Sequence, residues 1–405
     1  MKINFFSILT TRIWLLLGIV SLLLFTALVA GLLFKPAYSE AAYRFFDSGF
    51  LMQAERYQET RLKIFLFKQL LTWIFFLLAA LVAYKYFASI PHPAFMVAAA
   101  FFALLFAVYY LGNLPLEYYQ GFILEHNFGL SAQSSGSWLE DFLKSRTISI
   151  IIATAALTGL YIAMRAFPRN WWWLTGIAFS FFIILGTYLF PLLIDPLFYK
   201  FEPLEDQQMR ASIMEMANQA GINIEEVLVA DASKKTRKVN AYFTGMGNTK
   251  RIVIYDTLLD SFTKAETLTV IAHEMGHWQH AHILKGVLLS SAAVFSTFFL
   301  FSYSQKNTGL IGDIRSVFLA LFFFSLFSFC ILPIGNSVSR HFERQADRAA
   351  LQLTGDPTAF IRLKQNLATA NLSQVEPHPL VKTILYTHPT ILERINIALK
   401  AIDDY

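Results

Sequence analysis

Charge is what this chain lacks. Only 15% of its 405 residues are Asp, Glu, Lys or Arg, against about a quarter in soluble domains. A soluble fold of ordinary shape is therefore excluded, because one such core has no room for forty phenylalanines. Cysteine is nearly absent too. With Cys330 alone, no internal disulfide and no thiolate metal cluster can form. Internal repeats, low-complexity tracts and flexible linkers are also missing. A net charge of +5 would suit nucleic acid, but with 56% hydrophobic residues the partner that fits is the anionic face of a membrane, and no nucleic acid is expected.

What the chain has instead is apolar runs. Seven stretches, near 13–34, 69–88, 94–114, 147–164, 171–194, 286–303 and 316–335, approach the roughly 20 residues that cross a bilayer. The first is too long, and its flanks too unlike a cleavage site, for a removed signal peptide, so it reads as a retained span. Crossing parity then places all Lys and Arg except Lys2, Arg12, Lys85, Arg165, Arg169, Lys306 and Arg315 on one side. That side, holding the 35–68 loop, the 115–146 loop, the 195–285 segment and everything after 336, is expected to be cytoplasmic, with the N-terminus opposite. The indoles of "NWWWL" (170–174) open the fifth span at the interface, and Pro91, Pro93, Pro115, Pro168 and Pro191 punctuate span ends.

Between spans five and six lies a polar segment long enough to fold. "EDQQMRASIMEMANQAGI" (205–222) has helical spacing and stops at Gly221, "EVLVAD" and "KRIVIYD" are β-branched, and "TGMGNT" is turn-rich. A helix and a small antiparallel sheet of two or three strands are expected. A second helix then starts near Thr263, with a Thr-x-x-Glu capping box.

That second helix carries "VIAHEMGHWQHAH". Residues four apart share a helical face, so His273 and His277 can ligate one zinc ion, while Glu274, about 100° round, can reach its water as general base. A pair formed by His277 and His280 is sterically possible but has no glutamate in the base position, and His282 points away from His273. Gly276 permits close approach of another helix. A third ligand is needed, and "SVSRHFERQADRAALQL" after the last span supplies Glu343, with Asp347 four residues on to brace a ligand imidazole from behind. On a charged helix such a pair is ordinarily surface. Antiparallel spans six and seven would bring it to the histidines.

Together "VIAHEMGHWQHAH", "RHFERQAD", "NAYFTG" and "YTHPTILERI" resemble the type I CAAX prenyl protease family of integral-membrane zinc metallopeptidases, which is of gluzincin type, with HExxH and ExxxD motifs. "LPLEYYQGFILEHNFGLS", "WLEDFLKS" and "FPLLIDPLFYKFEPL" extend the resemblance along essentially the whole chain. It implies a mainly α, polytopic membrane protein. Seven transmembrane helices would enclose a chamber, and a gluzincin-like metallopeptidase domain would carry a small β-sheet. Residues 1–194 would form a membrane domain of five spans, and 195–405 the peptidase domain with spans six and seven. The resemblance implies one Zn2+ on His273, His277 and Glu343, Glu274 as catalytic base, and His388 steadying the oxyanion. It also has Arg394 paired with an active-site carboxylate, and Asn240 and Ala241 on a strand that binds substrate backbone. On pattern alone Asn240 also suits a turn, and His388 a loop before a proline. Arg344 departs from the family, which commonly has an apolar residue there.

The activity implied is cleavage near the C-terminus of an isoprenylated protein. The membrane would be the endoplasmic reticulum in a eukaryote and the inner or plasma membrane in a bacterium. Two other readings fit less well: a quality-control metalloprotease cutting misfolded or stalled polypeptides, and a metal-binding transporter or channel, whose spans would hold the charges that are missing here.

Overall fold

The computed structural model describes Phe5, Leu9 and residues 11–244, 250–306 and 308–403. Five long helices come first: α1 (Arg12–Leu33), α2 (Ser48–Tyr86), α3 (Phe95–Tyr118), α4 (Ser135–Ala166) and α5 (Trp171–Leu193). There follow β1 (Phe201–Pro203), α6 (Gln207–Gln219), β2 (Glu226–Ala230), β3 (Ala241–Thr244), β4 (Arg251–Tyr255) and α7 (Lys264–Gln279). The chain ends with α8 (His282–Gln305), α9 (Ile314–Thr354), α10 (Pro357–Ala370), α11 (Pro379–Leu385) and α12 (Ile391–Asp403).

Helices α1 to α5, α8 and α9 are long and apolar enough to cross a membrane. Trp14, Phe102, Tyr161, Trp171, Phe301 and Phe323 interlock between them. Leu22, Met96, Leu111, Phe181, Leu193 and Leu288 are exposed on these helices, and a hydrocarbon surrounding makes such exposure favourable.

The helices outrun the apolar runs. Much of the expected 35–68 loop is helix: α2 begins at Ser48, where the Asp47 carboxylate accepts from the Phe50 N–H. Similarly, α4 begins at Ser135 behind the Ser134 cap, inside the expected 115–146 loop. Hydropathy marks what lies in hydrocarbon, whereas backbone hydrogen bonding continues into water wherever a cap and helix-forming residues allow. Pro115 and Pro191 do not terminate their helices either, but sit inside α3 and α5 near their C-terminal ends. One missing N–H is tolerated there, and after Pro115 the ladder loosens into a π-turn at Tyr119–Ile123.

The polar segment folds as expected at α6, capped by Asp206 and followed by Gly221 at φ +69°. Its sheet is larger than expected and mixed, with order β1-β2-β4-β3. β2 and β4 pair in parallel, and β1 and β3 flank them antiparallel. The two β-branched runs, expected in an antiparallel sheet, pair in parallel and are joined by a crossover through β3, a non-local pairing that no local pattern encodes. The "TGMGNT" turn lies largely outside the described residues. Met209 and Ile213 of α6, Ile252 and Ile254 of β4, and Ile271 and Met275 of α7 close one core, each worth about 1.5–3 kcal/mol when fully buried.

Candidate active site

Helix α7 starts at the expected capping box, in which Thr263 and Glu266 satisfy each other's backbone N–H. With Ile271, Ala272 and Met275 buried against the sheet, the turn carrying His273 and His277 faces α9. Gly276 sets the spacing. A Cβ there would lie 2.9 Å from both the Ala346 Cα and the Ala349 Cβ, so only glycine admits α9 this close.

The approach brings Glu343 to the two imidazoles. His273 Nε2 and His277 Nε2 are 3.2 Å apart. Glu343 Oε2 is 3.2 Å from the first and Oε1 3.3 Å from the second. Donors bound to one tetrahedral zinc at about 2.0–2.2 Å stand about 3.3–3.6 Å from each other, and with one Glu343 oxygen turned to each ring the spacing is close to what that ion needs. Among the described residues these three form the group able to hold a metal, and His280 is not part of it. Two further observations fit a cation. Buried Glu343 Oε2 has no hydrogen-bond donor, and three carboxylates (Glu274, Glu343, Asp347) outnumber two fixed cations (Arg394, Lys364) around the cluster.

Asp347, fully buried, lies behind His273. Its Oδ1 is 3.0 Å from His273 Nδ1, although the ring N–H points off the line between them. Arg394 on α12 grips the same carboxylate twice, Nε donating to Oδ2 at 2.8 Å and Nη2 to Oδ1 at 2.6 Å. Lys364 on α10 adds a third cationic contact at 3.2 Å. Burial pushes the Lys364 ammonium down to about 8, and the adjacent Arg394 pushes the same way. Burial opposes protonation of His273, but Asp347 and Glu343 outweigh it and raise its pKa. Burial raises the Glu274 carboxyl from its ordinary value, against the pull of the two imidazoles.

His388 reaches the cluster from the loop between α11 and α12, its Nε2 3.4 Å from Glu343 Oε1. Its side chain is 54% exposed, but into a cavity deep in the protein, and that depth depresses its imidazolium. The cavity, about 640 Å³, runs from α1 and α2 of the membrane domain to His388 and Arg394. A smaller one of about 190 Å³ shares that wall and touches Asn240, Ala241, His273 and Glu274. Another lies beyond Glu274 and His277, beside Tyr242 and Phe243. Strand β3 runs between them at the sheet edge. Tyr255 N–H donates to Asn240 C=O at 3.0 Å, and with Ala241 opposite Ile254 the Ala241 and Phe243 peptide groups face away from β4.

Every residue singled out in the sequence for the site thus lies around one point, and the structure adds three that were not. His282 does not point away: Ala281, at φ 52°, breaks the helix expected to run on into span six, and His282 Nδ1 comes within 3.0 Å of His277 Nδ1. Gln345 accepts on the far side of His282, at 2.9 Å. Lys364 had a legible signal, since it lies in phase with Phe360 and Leu363 on the apolar face of α10, where an unpaired lysine is costly.

The chain is similar to known proteins over most of its length. The sequence profile described as "Peptidase family M48" matches residues 203–402, and that of "CAAX prenyl protease N-terminal, five membrane helices" matches 44–200. The chain is 34% identical to "Uncharacterized metalloprotease YhfN" of Bacillus subtilis, over 77% of this chain and 75% of that one. It is also 34% identical to "CAAX prenyl protease 1" of Saccharomyces cerevisiae, over 73% and 70%. The crystal structure of S. mikatae Ste24p superposes with a TM-score of 0.78 at 27% identity, covering 96% of this chain and 99% of that one. These matches cover the membrane helices and the peptidase portion alike, and the chain belongs to this family: it is a multi-pass membrane zinc metalloendopeptidase of family M48, type I CAAX prenyl protease type.

Proposed function

We propose that the chain hydrolyses a peptide bond near the C-terminus of a lipid-linked protein, an isoprenylated CAAX sequence being the substrate class. His273 Nε2, His277 Nε2 and Glu343 would hold one Zn2+. The observation that carries this is the set of mutual separations of 3.2–3.3 Å among those donors. Zinc, when bound, supplies Lewis acidity: it polarises a carbonyl and makes water acidic near neutral pH.

The protein's own groups do the rest. Glu274 takes a proton from the attacking water and returns it to the leaving amine, a task suited to a carboxylate whose pKa burial has raised. His388 faces the carbonyl oxygen and stabilises its developing charge. Asp347 orients His273, and Arg394 keeps Asp347 ionised and in place. The outward peptide groups of Ala241 and Phe243, with Asn240 beside them, hold an extended substrate by strand addition, which tolerates varied side chains. The cavity reaching α1 and α2 gives a membrane-tethered substrate a route to the site, and the distribution of Lys and Arg supports a cytoplasmic catalytic domain.

Mass spectrometry of products from a farnesylated CAAX peptide and its unprenylated copy tests the proposal. Cleavage of the farnesylated peptide, abolished in Glu274→Gln, is the result expected. Equal cleavage of both would favour the quality-control reading, and none of either would refute the substrate class.

A further inference from the structure

We infer that His282 positions His277 for metal binding, as the middle link of a hydrogen-bonded chain to Gln345 in which the proton of His277 sits on Nδ1 and its Nε2 is left free. This rests on His277 being a metal ligand, as proposed above.

Only a few proton arrangements satisfy the geometry. His277 Nε2 faces His273 and Glu343, and it can ligate only with its lone pair free, so its proton must sit on Nδ1. That Nδ1–H then donates to His282 Nδ1 across 3.0 Å. His282 must therefore accept at Nδ1 and carry its own proton on Nε2, which donates to Gln345 Oε1 across 2.9 Å. With its amide oxygen turned to His282, Gln345 can only accept, which matches the arrangement that leaves His277 Nε2 open, whereas its NH2 group in that place would donate and favour the reverse. Turning the chain round would place a proton on Nε2, where the metal belongs.

Everything around His282 holds it in this role. Its ring is buried and lies flat on Phe342, centroids 4.3 Å apart at 13°. Phe342 and Gln345 come from α9, the helix that also supplies Glu343. Ala281 adopts the left-handed conformation at φ 52°, which L-residues avoid and which persists where the surroundings impose it. On an unbroken helix His282 would face away from His277. The strained residue is what turns it back. His273 already has Asp347 behind it, so each imidazole would have its own acceptor. One is a carboxylate and the other a neutral relay, which adds no further negative charge to a cluster already rich in it.

Zinc(II) affinity of the full-length protein, measured by chelator competition, tests this without reference to turnover. His282→Phe keeps the stack on Phe342 but removes the acceptor, and should weaken zinc binding about 10–100-fold. His282→Asn places an amide oxygen near the position of Nδ1 and should recover most of that loss. Gln345→Glu, which can still only accept, should bind at least as well as wild type, and Gln345→Met should weaken binding without disturbing either ring. Wild-type affinity in both His282→Phe and Gln345→Met would overturn the inference, as would equal losses in His282→Phe and His282→Asn. The underlying ligand assignment fails separately: in that case His277→Ala would bind zinc as tightly as wild type.

Discussion

Gly276→Ala should damage the metal site without touching any residue in it. The added methyl would stand 2.9 Å from the Ala346 Cα, 2.9 Å from the Ala349 Cβ and 3.0 Å from the Ala346 carbonyl oxygen. Comfortable carbon contacts begin at about 3.5 Å, and two of the three obstacles are backbone that cannot rotate aside. Helices α7 and α9 must then separate by about half an ångström or more. His273 and His277 flank Gly276 on one helix and Glu343 and Asp347 flank Ala346 on the other, so the separation falls directly on the ligand set, where distances are held to about 0.2 Å. We expect a stability loss of about 1–3 kcal/mol from overpacking and zinc affinity lower by at least about tenfold, roughly 1.4 kcal/mol. Chelator competition and thermal unfolding of the purified protein measure the two. Ala349→Gly removes one obstacle and should return part of the zinc affinity in the double variant. If Gly276→Ala alone melts and binds zinc as wild type does, the close helix approach is not what assembles the site.

Glu274→Gln should retain stoichiometric zinc by elemental analysis while its peptidase rate falls by orders of magnitude, and an undiminished rate would remove Glu274 as the base. Arg394→Met leaves Asp347 buried with Lys364 as its remaining cation, a loss of about 3–5 kcal/mol on the scale of broken buried pairs. Thermal unfolding checks it, and Arg394→Lys should recover little because it cannot reproduce the two-point grip. Ala241→Pro removes an outward N–H from β3 without removing a bond to β4, so KM should rise several-fold with zinc content unchanged, and an unchanged KM would refute strand addition. Removing zinc with a chelator leaves three carboxylates around the empty cluster, so the melting temperature should drop, by the equivalent of about 2.7 kcal/mol if zinc had been present at 100 times its Kd.

The site was legible where its geometry is local. His273 and His277 share a helical face by spacing alone, and Glu343 with Asp347 could be joined to them because two antiparallel spans return the chain to the same side. Helix α7 was legible from Thr263 and Glu266, which cap it through their own side chains. What escaped depends on tertiary facts. His282 was read on a continuous helix, and one left-handed residue, Ala281, inverts its direction. Gln345 is neutral and carries no pattern. The parallel pairing of β2 with β4 needs a crossover that neither strand announces, and the extensions of α2 and α4 beyond their apolar runs are polar helix where hydropathy sees only the end of a span.

Helix α9 runs unbroken from Ile314 to Thr354, 41 residues, about 60 Å at 1.5 Å per residue. Its first half is bilayer-crossing and its second half bears Glu343, so one continuous helix, with Pro333 near its middle, joins the two. The apolar run ends near Gly335, and Glu343 therefore stands about 12 Å further along the axis. Membrane thickness thus becomes a ruler for chemistry. The cut is made at a set altitude above the lipid, and a thinner or thicker bilayer would raise or lower the blade relative to any polypeptide moored in that same leaflet.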